Sequence, residues 1–268
     1  MPGDPKRENT MKRIDTVIRD YNELDVKYPA IETGFKALDD YGSLLRKGRL
    51  CLMGARPGMG RTTLSLQIAL NVATRGKNTV FFYLDASSDK LAKRIIDRLP
   101  EYQRALIPLY IEDRIDNVKD FEKGIHKSGV APELIVVDFL QPAYVSGRKG
   151  TVSYDAKRIC YSLKSLAQTF QAAVLCTSTL KRAVELRNDH RPILTDIPSW
   201  SLITEYVDTV CFIYRDSYYK GESNMECIEP AEIILARGVC DNRIVEIGWN
   251  PSKEIFCDSS RVIIPQWA

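Results

Sequence analysis

Hydrophobic positions along the chain follow two alternating rhythms. Short unbroken apolar runs occur at Leu50–Met53, Thr79–Leu84, Leu109–Ile111, Leu134–Val137, Ala173–Thr177 and Thr209–Tyr214. Runs of this length without polar alternation predict strands covered on both faces. Between them the spacing changes to the helical period. Leu66, Ala69, Leu70 and Ala73 form one apolar face, closed by Gly76, and Ile159, Leu163, Leu166, Ala167 and Phe170 form another within a predicted helix over 152–170. Further helices are predicted over 90–99 and 118–127. Strand and helix alternating at this spacing imply an α/β fold, a mostly parallel sheet flanked by helices. The last segments, Ala231–Ala236 and Arg243–Gly248 around the polar turn Cys240-Asp241-Asn242, predict a C-terminal antiparallel hairpin.

Three regions are expected along the chain. Residues 1–8 predict a disordered N-terminus, residues 9–30 an amphipathic linker helix and linker, and residues 31–268 one domain. The helix carries Ile14, Val17, Ile18, Tyr21 and Leu24 at helical spacing and stops before Pro29. Its apolar stripe suits packing on its own domain or on a neighbour's.

Composition narrows the class. The 268 residues are 44% hydrophobic, enough for one large core. The 38 basic and 35 acidic residues leave a net charge of +3, so any nucleic-acid contact has to come from a local patch. Seven cysteines include no C-x-x-C pair and predict reduced core thiols in a cytoplasmic protein. No stretch approaches 18 apolar residues, which argues against a membrane span or a secretory leader. Neither His126 nor His190 has a partner at metal-ligand spacing.

The chemistry is concentrated at Gly54-Ala55-Arg56-Pro57-Gly58-Met59-Gly60-Arg61-Thr62-Thr63, between the first predicted strand and the first predicted helix of the alternating series. A phosphate-binding P-loop needs glycines so that backbone N–H groups can approach the phosphates, a lysine for their charge and a hydroxyl for magnesium. Here Ala55 replaces the first glycine and Arg61 replaces the lysine. Ala55, Arg56, Gly58, Met59, Gly60, Arg61, Thr62 and Thr63 are the candidate nucleotide-binding residues. Asp138 ends a buried strand, where a parallel sheet holds its ligands, and is placed to share magnesium with Thr62. The expected cofactors are ATP and Mg2+. A glycine-rich turn without ligand is the plainer alternative, and a strand-ending aspartate alone often only caps a turn.

These residues resemble the carboxy-terminal, RecA-like motor domain of the DnaB family of replicative helicases. The resemblance covers residues 9–256 and rests on Ile31–Asp39, Gly54–Gly60, Val137-Asp138-Phe139-Leu140-Gln141, Leu163–Ala167, Arg191-Pro192 and Phe212–Tyr219. The sequence contains no counterpart of that family's amino-terminal domain. The resemblance implies a RecA-like P-loop NTPase fold, a hexameric ring that moves along single-stranded DNA at the expense of ATP, and a linker helix that docks on the next subunit.

The resemblance also assigns roles, several to altered residues. Arg61 stands at the catalytic lysine, Asp85 at the glutamate that activates water, and Gln141 matches the family. Thr179 stands at the glutamine that senses the terminal phosphate. Arg237 and Val239 take the places of a lysine and an arginine that act across the subunit boundary; Arg243 is a substitute for the arginine or a solvated strand charge. Lys181, Arg182, Arg187 and Arg191 fall where the family lines its DNA channel, and Trp200 either stacks on a base or packs on the core. The expected function is that of a DnaB-like, nucleotide-binding protein acting on single-stranded DNA in replication or mobile-element maintenance, with weak ATP hydrolysis. The alternative is an inactive nucleotide-binding scaffold or helicase partner. Expected partners are single-stranded DNA, further copies of the chain and other replication proteins, with no membrane.

Overall fold

The computed structural model describes residues 13–263 except 17, 19–22, 24–26, 43, 85–86, 116, 141–151, 222–226, 239–242 and 259–261. The expected disordered segment 1–8 and most of the linker helix lie outside the described residues. Ile14, Asp15, Thr16 and Ile18 are helical, with both isoleucines exposed.

A small ladder pairs β1 (Ala30–Ile31) with β2 (Leu45–Arg46) around helix α1 (Lys36–Asp39). Strand β3 (Leu50–Ala55) then leads through the P-loop into α2 (Arg61–Thr74). Next come β4 (Thr79–Tyr83), α3 (Ser88–Ile96), α4 (Glu101–Arg104), β5 (Leu109–Glu112), α5 (Val118–Ser128), β6 (Leu134–Asp138), α6 (Val152–Phe170) and β7 (Ala173–Thr179). Two 3-10 turns and α7 (Trp200–Ile203) precede β8 (Thr209–Tyr214), and α8 (Asp216–Lys220) precedes β9 (Glu229–Arg237). Strands β10 (Arg243–Asn250), β11 (Ile255–Cys257) and β12 (Val262–Ile263) are the last elements among the described residues.

The main sheet runs in the order β11-β10-β9-β8-β3-β7-β6-β4-β5, with β12 also on β10. The pairs from β8 to β5 are parallel, and those from β8 outward through β9, β10 and β11 are antiparallel. Alternate residues of each central strand feed two cores. Cys51, Met53, Leu134 and Val136 face the side packed with Leu64, Leu66 and Ile68 of α2. Leu50, Leu52, Ile135 and Val137 face the side packed with Ile159, Leu163 and Leu166 of α6. Burial on both faces explains why these strands read as unbroken apolar runs.

The cysteine expectation needs one correction. Cys51, Cys160, Cys176 and Cys211 are buried and free, but Cys227 is exposed in the segment before β9, and Cys257 is half-buried on the edge strand β11.

A charged cluster fixes the amino ends of β3 and β8. Asp208 accepts from the Leu50 N–H at 2.7 Å, Arg49 Nη1 at 2.6 Å and Lys164 Nζ at 2.5 Å, while Lys164 also donates to Gly48 O. The Arg49 guanidinium lies 4.0 Å over the Tyr28 ring and so ties the incoming linker to the sheet. One carboxylate thereby sets strand register, helix position and linker exit. Replacing Asp208 by Ala leaves three donors without their charged acceptor and is expected to cost about 2–4 kcal/mol. Urea unfolding measures this; a loss no larger than that of an ordinary surface substitution contradicts the assignment.

Candidate functional site

The loop after β3 owes its shape to glycine. Gly58 and Gly60 have φ of +82° and +94°, where a side chain would be strained. A Cβ would also come within 2.9 Å of the Tyr218 ring at Gly58 and 2.8 Å of the Phe256 ring at Gly60. Met59 is buried between them and anchors the loop in the core, with its N–H bonded to Arg56 O. Arg56 is itself fixed: Nε and Nη2 meet Glu185 at 2.8 Å and Nη1 donates to Leu180 O at 2.6 Å. Helix α2 begins at Arg61 with Gly60 as its N-cap, so the first-turn N–H groups and the positive end of the helix open into the cleft.

Arg61 spans the carboxyl-terminal edge of the sheet. Ala55 on β3 is paired with Thr179 on β7, and Val137 on β6 with Cys176 on β7. The axes of β3 and β6 are therefore two strand spacings apart, about 10 Å. Arg61 Nη1 donates to Thr179 Oγ1 at 2.6 Å, its Nε lies 3.4 Å from Asp138 Oδ1, and its Cζ lies 4.1 Å over the Phe139 ring. Asp138 is fully buried; Thr177 Oγ1 donates to its Oδ1, and Oδ2 has no hydrogen-bond partner among the described residues.

The cleft beside the loop has a volume of about 590 Å³ and is lined by Arg56–Gly58, Gly60–Thr63, Arg94, Arg215, Trp249, Pro251 and Glu254. Arg94, Arg215, Trp249 and Glu254 were not among the sequence candidates. Arg215 is buried, stacks at 4.4 Å on Trp249, and has Nε and Nη1 without hydrogen-bond partners among the described residues. Burial holds its guanidinium below the ordinary arginine range, partly offset by Glu229 and Tyr218. The signal that could have found it is the Tyr214-Arg215-Asp216 segment. Its position in the cleft comes from β8 and β10 lying in one sheet, which periodicity does not reveal.

The other predicted site residues are differently engaged. Lys181 and Arg182 are exposed at the start of a 3-10 turn, beside Leu186, which is 87% exposed. Arg187 makes a bidentate pair with Asp196 at 2.8 Å, and Arg191 another with Glu232 of β9 at 2.7 and 2.6 Å. Arg237 donates to Thr204 O and Oγ1 within its own chain and lies over Trp200, which itself packs on the α6 side of the core. Arg243 is exposed, 5.6 Å over the Tyr41 ring. Asp85, Gln141 and Val239 lie outside the described residues. Among the described residues no cluster of three His, Cys, Asp or Glu is placed to hold a metal, and no helix is long and apolar enough to cross a membrane.

A six-strand parallel core with a P-loop after its first strand, an acid at the end of the strand next but one and a terminal antiparallel hairpin defines a RecA-like P-loop NTPase domain. The DnaB-like helicase C terminal domain family matches residues 30–107 and 103–251, and the chain belongs to that family. The replicative DNA helicase DnaB of Geobacillus stearothermophilus is 30% identical over 269 residues, covering 87% of this chain and 58% of the helicase. The chain thus spans little more than half the length of that relative. The fold is shared with a DnaB-like replicative helicase solved together with its interactions with primase (TM-score 0.79, 20% identity, 94% of this chain and 68% of the other). It is shared as well with a second solved structure, an ATPase domain (TM-score 0.76, 22% identity, 94% of this chain and 100% of the other).

The Arg187–Asp196 pair generates a pH prediction. Burial raises the Asp196 carboxyl, but the Arg187 fork and the Ile193 N–H outweigh it and hold the group below its ordinary 3.8. The folded state therefore binds this proton less tightly than the unfolded chain. The contribution is complete above pH 3.8 and is lost as the pH falls below that value. The stability gap between the unmodified protein and Asp196→Asn is expected to be constant near neutral pH and to shrink in acid. A gap that widens with acidification in urea titrations contradicts the assignment.

Proposed function

We propose that the chain is a nucleotide-binding, DnaB-like protein acting on single-stranded DNA in replication or mobile-element maintenance, with weak ATP hydrolysis. The observation that carries this reading is the glycine-shaped loop whose cation, Arg61, faces Asp138 across one strand end. Backbone N–H groups at Gly58–Thr63 would bind the phosphates and Arg61 would add charge, its planar fork being longer and bulkier than an ammonium. Magnesium would be held by the Thr62 hydroxyl and Asp138. These are hard oxygen donors, and the orphaned Asp138 Oδ2 suits a water of its shell. When bound, the ion would supply positive charge to offset that of the phosphates.

Weak turnover follows from the chemistry of the altered positions. Asp85 is one methylene shorter than the family's glutamate, and a water-activating carboxylate that falls short by about an ångström loses much of its effect. Thr179 and Val239 remove two polar groups that would meet the terminal phosphate, leaving Gln141 as the unaltered member of the set. Arg237 and Arg243 are the candidates for action across a subunit boundary. The second reading, a nucleotide-binding scaffold without turnover, is favoured by the engagement of Arg61 on Thr179 and Asp138.

For DNA, Lys181 and Arg182 supply the exposed charges, and the carboxylate-paired Arg187 and Arg191 hold the loop that presents them. Ring formation and contacts with other replication proteins belong to the same proposal.

Calorimetry with ADP or ATP and magnesium is expected to give a binding heat that is lost on Gly60→Val, which strains the φ of +94° and meets Phe256. Neither heat nor a melting shift at millimolar nucleotide would remove the nucleotide from the proposal. Anisotropy with a labelled single strand is expected to show sequence-indifferent binding that weakens steeply with salt, because phosphate contacts release counterions. Lys181→Ala with Arg182→Ala should lower affinity about tenfold or more at low salt and flatten the salt slope. Unchanged binding in the double variant would take DNA away from this loop.

A further inference from the structure

The guanidinium of Arg61 is engaged by the protein on three sides: a hydrogen bond to Thr179, an ion pair to Asp138 and the Phe139 ring beneath it. Its side chain is only 13% exposed and that of Asp138 not at all. The contact is therefore part of the core edge rather than a surface ion pair. A carboxylate buried this deeply needs a counter-charge, and Arg61 is the cation within ion-pair distance of it among the described residues.

We propose that Arg61 and a divalent cation are alternative counter-ions for Asp138, so that the site takes the phosphates of a nucleotide with little dependence on magnesium. This rests on the reading of the loop as a nucleotide site. Three features favour it. A metal brought to the free Oδ2 would share one carboxylate with a guanidinium 3.4 Å from Oδ1, two cations repelling each other in a desolvated pocket. Arg61 would therefore have to leave Asp138 for a divalent cation to be held there. Without metal, Asp138 is already compensated, so incoming phosphates do not face a bare negative charge. Finally, the reach from α2 past the end of β7 to Asp138 suits the long planar fork, and the small Thr179 both leaves room for it and accepts its Nη1 hydrogen bond.

The test compares the unmodified protein with Arg61→Lys and Thr179→Val. ADP affinity of the unmodified protein is expected to change by less than about threefold between magnesium and EDTA, and that of Arg61→Lys to fall at least about tenfold in EDTA. Equal losses in the two proteins overturn the proposal. Two arms need no nucleotide. Magnesium chloride alone should raise the melting temperature of Arg61→Lys but not that of the unmodified protein; equal responses overturn it. Thr179→Val should lower the melting temperature in the Arg61 background and leave the Lys background unmoved; equal shifts overturn it as well. Absence of ADP binding in every variant would sink the nucleotide reading instead, and the two nucleotide-free arms would still decide whether Arg61 is the counter-ion of Asp138.

Discussion

A carboxylate buried at the end of β6 is the constraint from which the rest of the site follows. Asp138 sits in the sheet with no exposure to water, next to Thr177 on the neighbouring strand. Such a group is costly unless hydrogen bonds and a positive charge surround it. The parallel register of β3, β7 and β6 supplies both. It places Thr177 alongside and brings the first residue of α2 across the end of β7. Arg61 completes the pairing, and with it the P-loop, Thr179 and the acid become one connected unit.

The same logic of fixed charges extends away from the cleft. Arg56 binds the P-loop to Leu180 and Glu185, and Arg187 closes the following segment on Asp196. Arg191 then ties that segment to β9 through Glu232 and to β8 through the Tyr214 ring. The exposed Lys181 and Arg182 are thus carried by a frame of ion pairs that begins at the phosphate loop. Arg56 joins the loop directly to the segment that carries these charges.

Much of the fold was legible because both faces of the sheet are covered. The runs ending at Asp138 and Tyr214, and the apolar face of α6 from Ile159 to Ala167, are dictated by burial that periodicity records directly. The P-loop was legible because its glycines answer a local backbone need. What stayed hidden was set by distant packing. Arg215 and Arg94 reach the cleft through strand order and helix placement, and the Arg187–Asp196 pair consumes a charge that composition counts as free. The exposed Cys227 belongs to the same class, since it lies outside the strands, in the segment before β9.

The central claim is that this site retains nucleotide binding while its altered residues slow the chemical step. Single-turnover hydrolysis, with protein in excess over ATP and with or without single-stranded DNA, separates the two. The account predicts rapid nucleotide capture followed by slow bond cleavage. It also predicts only partial acceleration by Arg61→Lys, because Asp85, Thr179 and Val239 stay as they are. Fast, DNA-stimulated cleavage by the unmodified chain would contradict it, and would show that Arg61 leaves Asp138 and performs the work of the lysine it replaces.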